Sequence, residues 1–242
     1  MQHNLEELKN LDIDHDGETT FGNYTITVSQ DTMAESPREW DNLGTMVCWH
    51  RSYNLGDEDG AKEHGSARNF FVNLSGMDLD HDYITDEQYD RAVKRAHELN
   101  IILPLYLYDH SGITMNTTGF SCGWDSGQVG HIYVSLEKIR KEFGCKRVSK
   151  KQRALVEKYL TGEVESYDDY LTGNVYGFNI EREDEDGEQV DVDSCWGYFG
   201  YPCTYMLDEI KSNIKYDIEN TPEQFDLPLP EPEQMEITYP RC

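Results

Sequence analysis

Residues 24–29 (Tyr-Thr-Ile-Thr-Val-Ser) alternate apolar and polar side chains, the signature of a strand with one buried face. The apolar runs at 45–50 and 101–108 predict buried strands, and Pro104 places the second at a sheet edge or a bulge, because proline cannot donate to a central ladder. Residues 113–117 and 129–134 read as two further strands. Residues 175–180 and 190–199 flank the turn Asp184-Glu-Asp-Gly187 as a hairpin.

Helical spacing alternates with these strands. Phe70, Phe71 and Leu74 mark a short helix. Thr85 with Gln88 forms a capping signal before the stripe Tyr89, Val93, Ala96 and Leu99. Residues 136–143, 150–160 and 205–218 carry similar patterns. The stretch YLTG occurs at 159–162 and again at 170–173 and reads as two helix ends, each closed by its glycine. The first 20 residues are polar and acidic, 35–44 and 54–65 are loop-like, and 221–242 is an acidic tail containing proline. Together these predict an α+β fold, a mostly antiparallel sheet with flanking helices, as a single domain over 1–220 followed by the tail.

Charge changes the picture most. The chain has 242 residues, with 47 Asp and Glu against 21 Lys and Arg, a formal net charge of −26. This excess equals the charge on about 13 base pairs of duplex and has the wrong sign for nucleic acid or anionic lipid, so the expected partner is basic. Carboxylates cluster at Asp12, Asp14, Asp16 and Glu18; at Asp57, Glu58 and Asp59; at Asp78, Asp80, Asp82, Asp86 and Glu87; at Glu163, Glu165, Asp168 and Asp169; and from Glu181 to Asp193, including Asp184, Glu185, Asp186 and Glu188. Residues 138–158 oppose this trend, with nine basic residues against two acidic ones. They read either as a solvated helical face paired with acidic neighbours or as a nucleic-acid or partner contact, the latter disfavoured by the overall field.

Few motifs carry chemistry. Asp12-Ile-Asp-His-Asp-Gly-Glu18 begins like a calcium loop, but Asn23 stands where a bidentate Glu should close it, and Asp78-Leu-Asp-His-Asp-Tyr83 has tyrosine in place of the required glycine. Both read as solvated acidic loops. Six cysteines without a C-x-x-C pair read as reduced thiols, and no zinc, phosphate-loop or dinucleotide signature occurs, so no cofactor or metal is expected. No apolar run is long enough to span a membrane and the N-terminus lacks signal-peptide character, predicting a cytosolic chain. One rim of strand ends could gather Trp49, His50, Asp109, His110, Trp124, Asp125 and His131 for acid–base work. The plainer reading makes the Asp, Ser and Gly of these segments turn formers and the tryptophans core.

The segments SPREWDNLGTMVCWHRSYNLGD (36–57), YDHSGITM (108–115), FSCGWDSGQVGHIYV (120–134) and SCWGYFG (194–200) resemble a family of uncharacterised proteins of bacteriophages and other mobile elements. The resemblance supplies no catalytic residues. It implies a phage context, in which a small, very acidic protein is expected to occupy the nucleic-acid groove of a host restriction or CRISPR nuclease as a DNA mimic. The alternative expectation is an enzyme or nucleotide binder using the rim.

Overall fold

A computed structural model describes residues 5–13, 16–81, 83–201 and 203–221. Asp14, Asp82 and the tail beyond Thr221 lie outside the described residues. The chain is α+β, with strands in two mostly antiparallel sheets. In order the elements are α1 (Leu5–Leu8), β1 (Gly17–Phe21), β2 (Tyr24–Gln30), a 3-10 turn (Pro37–Glu39), β3 (Thr45–Cys48), β4 (Glu58–Asp59), α2 (Gly60–Glu63), α3 (Ala67–Ser75), α4 (Asp86–Leu99), β5 (Asn100–Asp109), β6 (Ile113–Asn116), β7 (Ser126–Ser135), α5 (Leu136–Glu142), α6 (Lys150–Thr172), β8 (Val175–Glu183), β9 (Gln189–Phe199) and α7 (Thr204–Asn220).

The first sheet has the order β1-β2-β8-β9, all antiparallel. Its inner face is written in the period-2 pattern of β2: Tyr24, Ile26 and Val28 are buried with Phe178 and Ile180 against Met206, Ile210 and Ile214, which recur every fourth residue on α7. Arg182 also turns inward, where it pairs with Asp217 at 3.2 Å. Among the described residues α7 covers this inner face, while α6 also touches β9.

The second sheet has the order β4-β3-β7-β5-β6, with β3 and β4 parallel and the rest antiparallel. Both its faces are covered. Leu105, Ile132 and Val134 meet Ile139, Val156, Leu160 and Val164 of α5 and α6, while Val47 and Ile102 meet Phe70 and Ala96 of α3 and α4. Double coverage explains why β5 reads as a continuous apolar run instead of alternating. Pro104 lies on the half of β5 that β6 does not reach, next to a register break between Leu105 and Tyr106, as its chemistry requires. At Gly130 a side chain is excluded, since a Cβ there would stand 2.0 Å from the Val47 carbonyl oxygen.

Three expectations need correction. The acidic N-terminal stretch contains β1, whose partner β2 supplies the apolar residues that β1 lacks. The loop-like stretch 54–65 holds β4 and α2, the latter capped by the Asp59 carboxylate on the Ala61 and Lys62 amides. The YLTG repeat does not mark two helix ends: α6 runs through Gly162 and stops at Gly173, in the left-handed conformation at φ 72°. Val156, Leu160, Val164 and Tyr167 form one buried stripe across Gly162, and that burial outweighs the roughly 1 kcal/mol propensity cost of an internal glycine.

The motif at 36–50 is a structural clamp. Ser36 caps the 3-10 turn, and Asn42 donates from its side chain to the Pro37 and Trp40 carbonyls. Arg38, only 5 % exposed at its side chain, donates to Asp57 at 2.6 and 3.0 Å, to Glu163 at 3.1 Å and to the Gly44 carbonyl at 2.8 Å. Glu163 in turn accepts from the Leu43 and Gly44 amides, and Asp57 from the Met46 amide. One guanidinium thereby joins the loop before β3, the loop before β4 and the middle of α6.

Candidate functional site

The rim residues are spread along the second sheet and are not brought to one point. Trp49 and His131 come together, with ring centroids 6.4 Å apart. His110 and Asp125 come together as well, Nδ1 to Oδ2 at 3.4 Å. The two pairs are separated by the first five residues of β7, so that from Asp125 to His131 the strand advances about 20 Å. The expected convergence on a single cleft therefore fails.

Trp49 and His131 belong to an aromatic cluster on the α3–α4 side. His131 stacks on Phe70 at 5.2 Å and 15°, meets Phe71 edge-on at 5.1 Å, and accepts at Nε2 from Gln128 Nε2 at 2.9 Å. Burial, with His97 nearby, holds its imidazole down to a pKa of about 4, so it is neutral at pH 7. His131 Nδ1 and Trp49 Nε1 are buried without a hydrogen-bond partner among the described residues. A Cβ at Gly60 would stand 2.3 Å from the Trp49 ring, so the indole fills space that only glycine leaves. This pair is core, which fits the plainer reading of Trp49.

His110 and Asp125 are half exposed, and Trp124, 96 % exposed, projects beside them. The expectation that the rim tryptophans are core fails at Trp124. The Cys122 thiol approaches the same Asp125 oxygen at 3.9 Å, and Asp109 donates its amide to the Asp125 carbonyl at 2.8 Å. In a nucleophile–base–acid relay the base stands between the other two groups. Here the carboxylate stands between thiol and imidazole, so the imidazole is not placed beside the thiol. His50 is used locally: its Nδ1 accepts from the Tyr53 amide at 3.0 Å, and its ring stacks on Tyr53 at 4.9 Å. Cys48, on the strand before it, has its thiol pushed up to about 12 by burial and by Asp57.

The acidic clusters divide into groups that hold the fold together and groups that face solvent. Asp57 and Glu163 are engaged by Arg38. Asp59 caps α2, and Glu58 lies 3.5 Å from His64 Nε2. Asp168 accepts from the Thr114 hydroxyl and the Met115 amide. Asp169 accepts from Asn174, and desolvation raises its pKa. Asp86 meets Arg68 at 3.0 Å. Asp12, Asp16, Glu18, Asp78 and Asp80 are exposed, but the residues after Asp16 form β1 and not the helix a calcium loop needs. Among the described residues no three His, Cys, Asp or Glu side chains are grouped to hold a metal ion.

The β8–β9 hairpin is different. Strand alternation and the register Glu18–Thr27 and Thr25–Glu181–Asp191 place Glu18, Glu181, Glu183 and Asp191 on the outer face of the first sheet, opposite the α7 side. Glu181 and Asp191 stand directly across from each other, a like-charge pair that disfavours the sheet. At the tip Asp184 accepts from the Asp186 and Glu188 amides at 2.9 Å and leaves Glu185, Asp186 and Glu188 in solvent. No described cation lies within 4 Å of these eight carboxylates. The four strands contain one basic residue, Arg182, and it faces inward.

Residues 138–158 correct the expectation of pairing: none of the nine cations makes an ion pair with a described carboxylate. Lys138 donates to the Asn42 carbonyl instead. Among the described residues no helix is long and apolar enough to cross a membrane. No protein-family model, curated protein or solved structure matches the chain.

Proposed function

We propose that the protein is a phage-encoded inhibitor of a host defence nuclease, of the restriction or CRISPR type, and that it occupies a basic nucleic-acid groove in place of DNA. The observation that carries this reading is the unneutralised outer face of the β8–β9 hairpin. From Glu181 to the tip at Asp186 the arm is about 17 Å long and carries, over both strands, seven carboxylates, one per roughly 2.4 Å, against one charge per about 1.7 Å of duplex. Glu18 on β1 extends the same face across the sheet. Opposed like charges at Glu181 and Asp191 cost stability, and docking into a basic groove recovers that cost. The Trp/His/Asp rim supports a ligand site less well, because its members split into a buried aromatic pair and an exposed turn.

The test is competition. Nucleases recovered from host lysate by salt-sensitive capture are purified and loaded with a fluorescent duplex, and displacement by the protein is read by anisotropy at 50 and 300 mM salt. Displacement that falls by at least tenfold at the higher salt, and that is lost in the quadruple variant Glu181→Gln, Glu183→Gln, Glu188→Gln and Asp191→Asn, is the expected result. Displacement independent of salt, or equal in the variant, overturns the reading.

A further inference from the structure

A cleft of 560 Å³ opens between the end of α5, the connection that follows it and the first turn of α6, and five of its lining residues are cationic: Arg140, Lys146, Arg147, Lys150 and Arg153. In a chain with 47 carboxylates, no described carboxylate lies within 4 Å of any of the five. Elsewhere Arg38, Arg68, Arg95, Arg182 and Lys215 each meet a carboxylate within 4 Å. Like charges converging on a concave surface repel each other, and the concavity concentrates their field on whatever enters.

The start of α6 breaks a local rule in the same direction. Helix N-termini favour acidic side chains, and α4 obeys with Asp86 and Glu87 in its first turn. The first turn of α6 has no acidic residue and instead carries Lys150 and Lys151, with Arg153 just beyond. Side-chain charge and helix dipole therefore add at the mouth of the cleft instead of offsetting each other. Violations of local consistency of this kind are expected where function requires them.

From the cleft and its five unpaired cations we infer that this protein binds a compact ligand bearing two or more phosphates, of the nucleoside polyphosphate class, between α5 and α6. Arg140, Arg147 and Arg153 offer planar forks suited to phosphate oxygens, while Lys146 and Lys150 act as point charges. Leu136 and Val148 supply an apolar wall for the rest of the ligand. The volume lies within the range of small-molecule sites, about 300–1,000 Å³. A net charge of −26 repels a long polyanion, whereas a short one can enter the local positive field. This inference is independent of the hairpin and its partner.

Isothermal titration of the full chain at 50 mM salt, with ATP, GTP, tripolyphosphate and a 5′-phosphorylated twelve-nucleotide single strand, tests it. One site for ATP or GTP at micromolar concentration supports a nucleotide, and one for tripolyphosphate alone supports a free polyphosphate. Binding of the oligonucleotide alone overturns the inference in favour of a nucleic-acid contact, and binding of none overturns it outright. Arg147→Glu with Lys150→Glu is expected to weaken binding by at least tenfold, and Arg140→Gln with Arg153→Gln, which adds no new charge, by at least fivefold. Lys62→Glu, on α2, is the control. Equal binding in both cleft variants, or equal loss in the control, sinks the proposal, with circular dichroism melts confirming that each variant is folded.

Discussion

Arg38 and Glu163, 125 positions apart in sequence, meet at 3.1 Å, and the same Glu163 carboxylate holds the amides of Leu43 and Gly44. The relationship ties the loop before β3 to the middle of α6. Burial disfavours the guanidinium charge, but hydrogen bonds and attraction from Asp57 and then Glu163 overcome this, and its pKa is raised. Replacing Arg38 by Met leaves two carboxylates facing each other without a cation. Loss of one partner of a buried ion pair costs about 3–5 kcal/mol. The expected result is a urea midpoint lowered accordingly for Arg38→Met, partly restored when Glu163→Gln and Asp57→Asn are added. A midpoint unchanged from wild type would remove Arg38 from the centre of the fold.

His131 makes stability depend on pH. In the folded chain it stays neutral until about pH 4, whereas its ordinary value is 6.5. Between these limits the unfolded chain binds more protons, so stability rises with pH across the window and is lost as pH falls from about 6.5 to 4. The shift corresponds to a loss on the order of 3 kcal/mol. Unfolding free energies of wild type and His131→Phe, compared at pH 7, 6, 5 and 4, should diverge by this amount in favour of the variant. Taking the difference cancels the carboxylates common to both, and parallel curves would contradict the burial argument.

Gly162 inside α6 and Gly173 just past its end should respond with opposite sign. Nothing lies within 4 Å of a Cβ built at Gly162, so Gly162→Ala is expected to stabilise by about 0.5–1 kcal/mol. Gly173 has φ +72°, and its Cβ would approach the Gln30 side chain at 2.6 Å, so Gly173→Ala is expected to destabilise. Thermal melts of the two single variants check both directions.

Asp191→Asn separates the cost of the acidic hairpin from its use. Removing one of two opposed charges should stabilise the sheet by about 0.2–1 kcal/mol. The same substitution should weaken displacement of duplex from a nuclease. A variant that is both less stable and fully inhibitory would contradict the assignment on both counts.

Much of the fold was legible because packing and local chemistry agree. The Thr85 side chain takes the Gln88 amide and Gln88 returns the bond to the Thr85 amide, as their spacing implies, and β2 buries alternate residues. β1 was hidden because GETTF has no apolar stripe and becomes a strand only when β2 lies beside it. Gly162 reads as a helix end because propensity is local, whereas the core stripe that overrides it is not. At the candidate sites the sequence marks strand ends but not distance along β7, which separates His131 from Asp125. Arg38 carried no pattern of its own, since its partners come from three distant segments. The basic run at 138–158 was legible as a charge excess, yet only folding shows five of its members turned toward one cleft.

β9 is the terminal strand of its sheet, eleven residues with nothing paired beyond it among the described residues. An open edge of that length is a template on which another chain could add. Its guard is the row of carboxylates on and beside it. In molar salt the screening length falls to about 3 Å, and the guard is then felt only at contact. The colloidal behaviour of the protein thus rests on the same charges as its proposed recognition: it keeps apart from its own copies in dilute salt and loses that reserve in concentrated salt, where strand edges can join.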